Sequence, residues 1–212
     1  MNEKRIPSDH YPTPTPLVDR GIMIALDRFS RCNNWLSVKP NRLTFLDPGC
    51  GPDARFAQHA VSLHVNEVVG VDINEPGKGK LPPQMYFETD YLKKKGRWYR
   101  PGYYDIICGN PPFSLAEKFV VTSLELVSPL GVVCLLLRLG FWASQKRFDF
   151  YENYPPAKTI VLAERPSFYS DTGMGKTDGT EYAFFLWDGA QVRKILNGMG
   201  VKPTIERISW RD

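Results

Sequence analysis

The chain predicts an α/β fold built on a mostly parallel sheet. Apolar strand-like runs alternate with helix-like stretches, the pattern that layers helices over a parallel sheet. One run, Gly131 to Leu137, is apolar almost throughout, as expected of a central strand covered on both faces. The turns that close the early strands carry Gly and Pro, and two of those strands end in an acid.

Taken in order, Arg42 to Asp47 reads as the first strand, followed by a glycine turn and a helix from about Asp53 to His64. Glu67 to Asp72 is a compact apolar run ending in an acid and reads as the second strand. Met85 to Glu88 is a short third, and Tyr104 to Cys108 a fourth. A helix fits Leu115 to Val127, with Ser114 as N-cap and Glu117 three positions on, a capping-box pattern. Pro129 and Gly131 end it. After the central strand come a helix near Trp142 to Tyr151, a strand near Lys158 to Ala163, a strand from Tyr182 to Trp187, and a short polar tail. The expected architecture is a seven-stranded sheet with helices on both faces.

The 212 residues, 42% hydrophobic and 24% charged, suit one domain of ordinary size with a real core. No apolar run approaches the roughly 18 residues of a membrane span, and the polar start lacks a signal-peptide core. A cytoplasmic protein with no membrane partner is expected. Cys32, Cys50, Cys108 and Cys134 show no metal-ligand spacing, and His10, His59 and His64 form no constellation with them. Neither a metal site nor a disulfide framework is predicted. A net charge of +4 permits a nucleic-acid partner without demanding one. Locally, Lys93, Lys94, Lys95, Arg97 and Arg100 interleave with Trp98, Tyr99, Tyr103 and Tyr104, types that hold phosphates and stack bases. The alternative is a solvated basic loop with its aromatics partly packed on the core.

In an open parallel sheet, ligands bind beyond the carboxyl ends of the strands. Asp47, Pro48, Gly49 and Gly51 fall at the first of those ends, where glycines let backbone approach a ligand. Asp72 ends the second strand, placed to accept from ribose hydroxyls. Asp90 follows the third, placed to accept from an adenine amino group. Three such positions in order indicate a nucleoside cofactor, and the missing Gly-x-Gly-x-x-Gly cradle disfavours a dinucleotide. The fourth strand runs into Asn110-Pro111-Pro112-Phe113. An amide side chain and a proline-flanked carbonyl there make two acceptors under an aromatic lid, suited to gripping a planar NH2 group. Together these elements point to methyl transfer onto an amino nitrogen.

On these residues the chain resembles the class I, Rossmann-like S-adenosylmethionine-dependent methyltransferases, specifically the N6-adenine type of phages and mobile elements. The resemblance runs from Tyr11 to Trp187. Besides the two turns it includes Tyr11-Pro12-Thr13-Pro14, Arg165-Pro166-Ser167-Phe168, and Thr180-Glu181-Tyr182-Ala183-Phe184-Phe185-Leu186-Trp187. It implies S-adenosylmethionine as cofactor and adenine N6 in DNA as acceptor, with RNA amino groups or a protein glutamine as alternative acceptors. It implies that Thr13 and Pro14 contact the cofactor's methionine part, that the Asp47 to Gly51 turn cradles it, and that Asp72 and Asp90 hold ribose and adenine. Asn110, also beside the cofactor, and the Pro111 carbonyl accept the two amino hydrogens, Pro112 completes the element, and Phe113 stacks on the base. Phe168 is a second candidate wall, or an ordinary core aromatic.

Two acceptors on the amine favour a pyramidal nitrogen that presents its lone pair, so transfer is direct and in-line, without covalent intermediate or metal. A base in a duplex must flip out or be single-stranded to reach such a pocket. Unlike in sequence-specific relatives, no separate target-recognition domain is expected. It is expected to be one methyltransferase domain over 1–212, with a cofactor-contacting segment over 1–40. Recognition is then expected from the Lys93–Tyr103 loop (Lys94 and Arg97), from the Arg138–Arg147 segment, Arg138 above all, and from the Ser170–Thr180 loop. A dimer or accessory partner is left open, as is a non-catalytic nucleic-acid-binding module on the same fold.

Overall fold

The computed structural model describes residues 12–33, 39–75, 77, 81–82, 85–168, 172, 174–177, 179–189 and 202–210. Tyr11 and His10 lie outside the described residues, as do 170, 171, 173 and 178 of the polar loop. The strands are β1 Thr44–Pro48, β2 Glu67–Asp72, β3 Tyr86–Glu88, β4 Tyr104–Gly109, β5 Val127–Arg138, β6 Lys158–Leu162, β7 Tyr182–Asp188 and β8 Thr204–Ile208. The α-helices are α1 Thr15–Cys32, α2 Arg55–Ser62, α3 Ala116–Leu126 and α4 Phe148–Asn153.

The strands form one sheet in the order β3-β2-β1-β4-β5-β7-β6-β8. Strands β1 to β5 pair in parallel, whereas β7 runs antiparallel to both β5 and β6. The carboxyl ends of β1, β2, β3, β4 and β5 therefore share one edge. Side chains alternate across the sheet. Phe45, Ile106, Cys134, Leu136 and Phe184 pack in one cluster with α1 and α2, while Leu46, Ile107, Val133, Leu135 and Phe185 pack in another with Phe119 and Val120 of α3. Strand β5 is sealed on both sides, with no residue from Val132 to Leu137 more than 1% exposed.

Four features differ from the sequence expectation. The sheet has eight strands, because β8 pairs in parallel with β6 where a polar tail was predicted. Most of β8 is exposed, so no apolar periodicity marks it; its chain is tied down by Trp210, whose indole donates to the Glu164 carbonyl at 2.9 Å. The predicted capping box does not form. Leu115 is the N-cap of α3 with no side-chain cap, and Glu117 instead receives Arg147 Nε at 2.7 Å. The helix expected over Trp142 to Tyr151 starts only at Phe148. Before it come two short 3-10 turns, held by that Arg147 bond and by Trp142, which donates to Thr159 Oγ1 at 3.0 Å.

The fourth difference is α1, which the sequence expectation lacks. Its buried side is Leu17, Val18, Gly21, Ile22, Ala25 and Phe29, a helical spacing, and it begins directly after Pro14 with Pro16 in its first turn. Arg28 near its end holds Asp188 of β7 through two bonds, Nε to Oδ1 at 2.9 Å and Nη2 to Oδ2 at 2.5 Å. Burial of its apolar side against the sheet supplies most of the helix's stability, as for amphipathic helices in folded proteins generally. Among the described residues no helix is long and apolar enough to cross a membrane.

At Gly21 α1 packs tightly on the sheet and on α2: a Cβ there would stand 2.7 Å from the Phe184 ring and 3.0 Å from the Phe56 ring. Gly21→Ala is expected to lose about 1–3 kcal/mol of stability through overpacking, read as a lower urea midpoint at unchanged slope. A midpoint equal to wild type would mean that the helix docks less tightly than described.

Candidate active site

An open cleft lies at the carboxyl edge, between the ends of β1, β2 and β4 and the residues leading into α1. Its walls include Thr13, Asp47, Gly49, Gly51, Asp72, Asn110 and Pro112, all singled out from sequence. Residues 97 positions apart meet here: Asn110 Nδ2 donates to Thr13 Oγ1 at 3.0 Å. The Thr13 carbonyl accepts from Arg55 Nη1 at 3.0 Å, so the segment before α1 is pinned to the start of α2.

The turn after β1 is shaped by its glycines. Gly49 and Gly51 both adopt positive φ, +64° and +67°, which costs glycine nothing and a side-chain-bearing residue considerably more. The turn is tied to β2 by the Gly49 amide donating to the Val71 carbonyl at 2.8 Å. Asp72 continues the connection. Its Oδ2 accepts from the Gly51 amide at 2.8 Å, and its Oδ1 from the Asn74 amide and side chain at 2.9 and 2.7 Å. The same carboxylate faces the cleft.

Asp47 is 1% exposed. Its Oδ2 accepts from the Ala57 amide at 3.1 Å, supplying the first turn of α2 with a partner the helix itself lacks. Its Oδ1 is buried with no hydrogen-bond partner among the described residues. Gly109 borders that oxygen so closely that a Cβ there would stand 2.7 Å from it. Burial pushes the Asp47 carboxyl up to about 8, against the opposing Ala57 amide and with a further upward push from the charge on Asp72. A buried acceptor of this kind is a place for a donor that arrives with a ligand.

Other predicted positions fall elsewhere. Pro14 is buried at the start of α1, Pro48 ends β1, and Pro111 is buried between Asn110 and Pro112. Asp90 sits on the same edge but outside the cleft walls; its Oδ1 caps the 3-10 turn Tyr91–Lys93 by accepting from the Leu92 amide at 2.9 Å. Phe113 is half-buried, its ring 5.5 Å from that of Tyr182 and 5.0 Å from the Arg138 guanidinium. Arg138, at the end of β5, thus stands beside the Asn110–Phe113 element. Phe168 is a core residue, 5% exposed and packed edge-on against Tyr182 at 5.0 Å, which removes it as a base-stacking wall.

The basic-aromatic loop is also corrected. It leads from β3 back to the amino end of β4, the edge opposite the cleft. There Lys94 pairs with Glu125 at 2.5 Å, Arg100 with Glu67, and the Tyr103 hydroxyl with Glu67 at 2.7 Å. Arg97 is exposed on the same loop and Trp98 is buried. Neither Lys94 nor Arg97 reaches the cleft. In the sequence, the run of like charges concealed that its partners lie on Glu67 and Glu125.

The cleft contains residues the sequence reading did not single out, chiefly Arg55 and Ile73. Ile73 is 63% exposed although apolar, and it directly follows Asp72. Its position after a strand-ending acid is a signal that could have found it. Arg55 could not be found this way, because only the fold brings it against Thr13.

No protein-family model matches the chain, and no curated protein matches it in sequence. Its fold is nonetheless shared with solved structures. A class I S-adenosylmethionine-dependent methyltransferase, provisionally so assigned, from Listeria monocytogenes superposes with a TM-score of 0.62 at 16% identity, covering 98% of this chain and 69% of that one. The chain has the class I methyltransferase fold. A type I restriction-modification methyltransferase subunit from Streptococcus thermophilus gives 0.57 at 13% identity, covering 84% of this chain and 44% of that one. A protein from Pyrococcus horikoshii provisionally assigned as an RNA methyltransferase gives 0.56 at 16% identity, covering 84% and 87%.

The Asp47 carboxyl yields a prediction. Unfolded, it ionises near 3.9, whereas folded it keeps its proton up to about 8. Folding takes up a proton between those values, so the group's contribution to stability falls as pH rises across that window. Asp47→Asn retains an acceptor for the Ala57 amide and does not titrate. Relative to wild type it is expected to gain stability from pH 5 to pH 8, by up to about 1.4 kcal/mol per pH unit. Equal differences by urea denaturation at both pH values would refute a buried, proton-holding Asp47.

Proposed function

We propose that the chain transfers a methyl group from S-adenosylmethionine to the N6 amino group of adenine in DNA, with the base flipped out or single-stranded. The observation that carries this reading is Asn110: its amide lines the same cleft as Asp47, Gly51 and Asp72. An amide at the end of β4, in the cleft that Asp47 and Asp72 also line, suits acceptance of an amino hydrogen. It has no evident use in a protein that only binds nucleic acid.

The residues present fit the cofactor. Asp72 offers a carboxylate for ribose hydroxyls, and the exposed side of Ile73 offers apolar surface for a flat ring. Once it gives up its proton, the orphaned Oδ1 of Asp47 offers an acceptor for an ammonium group, and Arg55 offers a cation for a carboxylate. Bound there, S-adenosylmethionine supplies a methyl group on a cationic sulfur.

The chain's own residues act on the acceptor. Asn110 Oδ1 and the Pro111 carbonyl take the two hydrogens of the amine, drawing its lone pair out of conjugation with the ring. Phe113 offers a face for the base, and Arg138 beside it offers positive charge to the nucleotide's phosphate. Positioning and fixed dipoles then supply the acceleration, since fixed geometry alone is worth roughly 7–11 kcal/mol. In this reading the chain is a methyltransferase domain whose base recognition falls to Arg138 and the segments at the cleft mouth.

The test incubates purified protein with labelled S-adenosylmethionine and unmethylated DNA or RNA, followed by digestion to nucleosides and mass spectrometry. N6-methyladenine in DNA is expected. Label in RNA alone would keep the Asn110 chemistry and replace the acceptor; no label in either would reject the reading. Asn110→Ala is expected to cut turnover by about 100- to 1,000-fold while sparing cofactor affinity, because the lost acceptor matters most in the transition state. Asp72→Ala is expected to weaken cofactor binding in calorimetry, and an unchanged affinity would remove it from the ribose role.

A further inference from the structure

Asp72 has less room for a sugar than its place in the cleft suggests. A carboxylate offers about four lone-pair sites and only accepts. Three of those sites are filled: Oδ1 accepts from the Asn74 amide at 2.9 Å and from Asn74 Nδ2 at 2.7 Å, and Oδ2 accepts from the Gly51 amide at 2.8 Å. One site, on Oδ2, is left among the described residues. A ribose carries two neighbouring hydroxyls, and each loses water on binding and needs an acceptor in its place. Held as it is here, Asp72 can take one of them.

A second acceptor stands beside it. Asn74 is two residues beyond Asp72 and lines the same cleft. Its partner fixes the orientation of its amide: a carboxylate oxygen only accepts, so Asn74 must offer it Nδ2, and Asn74 Oδ1 is turned away from Asp72. Among the described residues that oxygen receives no hydrogen bond. The residue is held at two further points. Its backbone amide closes a tight turn onto Asp72 Oδ1, and its carbonyl accepts from the Tyr86 hydroxyl at 2.8 Å. Tyr86 is a buried residue of β3, so Asn74 is tied to both β2 and β3.

We infer that Asn74 shares the cofactor's ribose with Asp72: Asp72 Oδ2 accepts from one hydroxyl and Asn74 Oδ1 from the other. This rests on the S-adenosylmethionine reading above and deepens it, because the carboxylate alone does not suffice for both hydroxyls. Asn74 is then a binding residue in its own right and not only a support for Asp72. Each hydroxyl answers to one residue, so removing a hydroxyl from the ligand and removing its acceptor from the protein are the same loss counted once.

The experiment measures, by calorimetry, the dissociation constants of wild type and Asn74→Ala for S-adenosylhomocysteine and for its 2′-deoxy and 3′-deoxy forms. Asn74→Ala is expected to bind S-adenosylhomocysteine about fivefold more weakly than wild type does, the worth of one hydrogen bond. It is expected to show the same loss with one deoxy form and none with the other, which identifies the hydroxyl that Asn74 holds. Undiminished binding of that form also shows that the variant is folded. An equal loss with all three ligands would overturn the inference and leave Asn74 as a support for Asp72. No loss with any of them would overturn it as well. In both of those cases wild type still binds S-adenosylhomocysteine, and the cofactor reading stands. Should wild type bind none of the three, the cofactor reading fails and this inference with it.

Discussion

A carboxyl group shut away from water organises the cleft. Asp47 stands at the end of β1 with one oxygen on the Ala57 amide of α2 and the other against Gly109 of β4. Three elements are set relative to one another by one side chain. The arrangement demands the absence of a Cβ at Gly109, and it demands that α2 begin within reach of the strand end. The turn containing Gly49 and Gly51 satisfies the second demand by reversing the chain through two positive-φ residues within three positions. Burying an ionisable group costs stability, and here it leaves one oxygen unmatched among the described residues. Such a cost is characteristic of a site built for a ligand rather than for the stability of the fold.

How much was legible in the sequence depends on which signals are local. The parallel strands could be read because β5 is apolar on both faces and β2 is a short apolar run with an acid at its end. Asp47, Gly49, Asp72 and Asn110 could be placed because strand ends mark the edge where ligands bind, and the structure brings those four into one cleft. The misses have the opposite character. Lys94 and Arg100 look like a basic patch until Glu125 and Glu67, from distant parts of the chain, come beside them. Glu117 matches a capping box, but Arg147 from beyond β5 competes for its carboxylate and wins. Phe168 looks like a substrate wall because its burial depends on Tyr182. Strand β8 is too exposed to leave a pattern.

Helix α1 is the instructive omission. Its apolar spacing is present in the sequence, yet Thr13 and Pro14, read as a cofactor-contacting segment, mask the helix they introduce. The two readings belong together. A residue at the mouth of the cleft can be rigid only if the adjoining chain is anchored, and α1 is anchored along its buried side by the sheet and near its end by Arg28 and Asp188.

Among the described residues, those that wall the cleft all lie from Pro12 to Pro112. From α3 onward the described residues contribute the sealed centre of the sheet, the strands β6 to β8, and the surroundings of Phe113 and Arg138, but no wall. The molecule is thus divided along its own sequence, with a first half that builds the cleft and a second half that borders the mouth. Changes in the second half can alter what approaches Asn110 without disturbing Asp47, Gly51 or Asp72. On the function proposed above, variation beyond Phe113 can change what reaches Asn110 while the cleft before it stays intact.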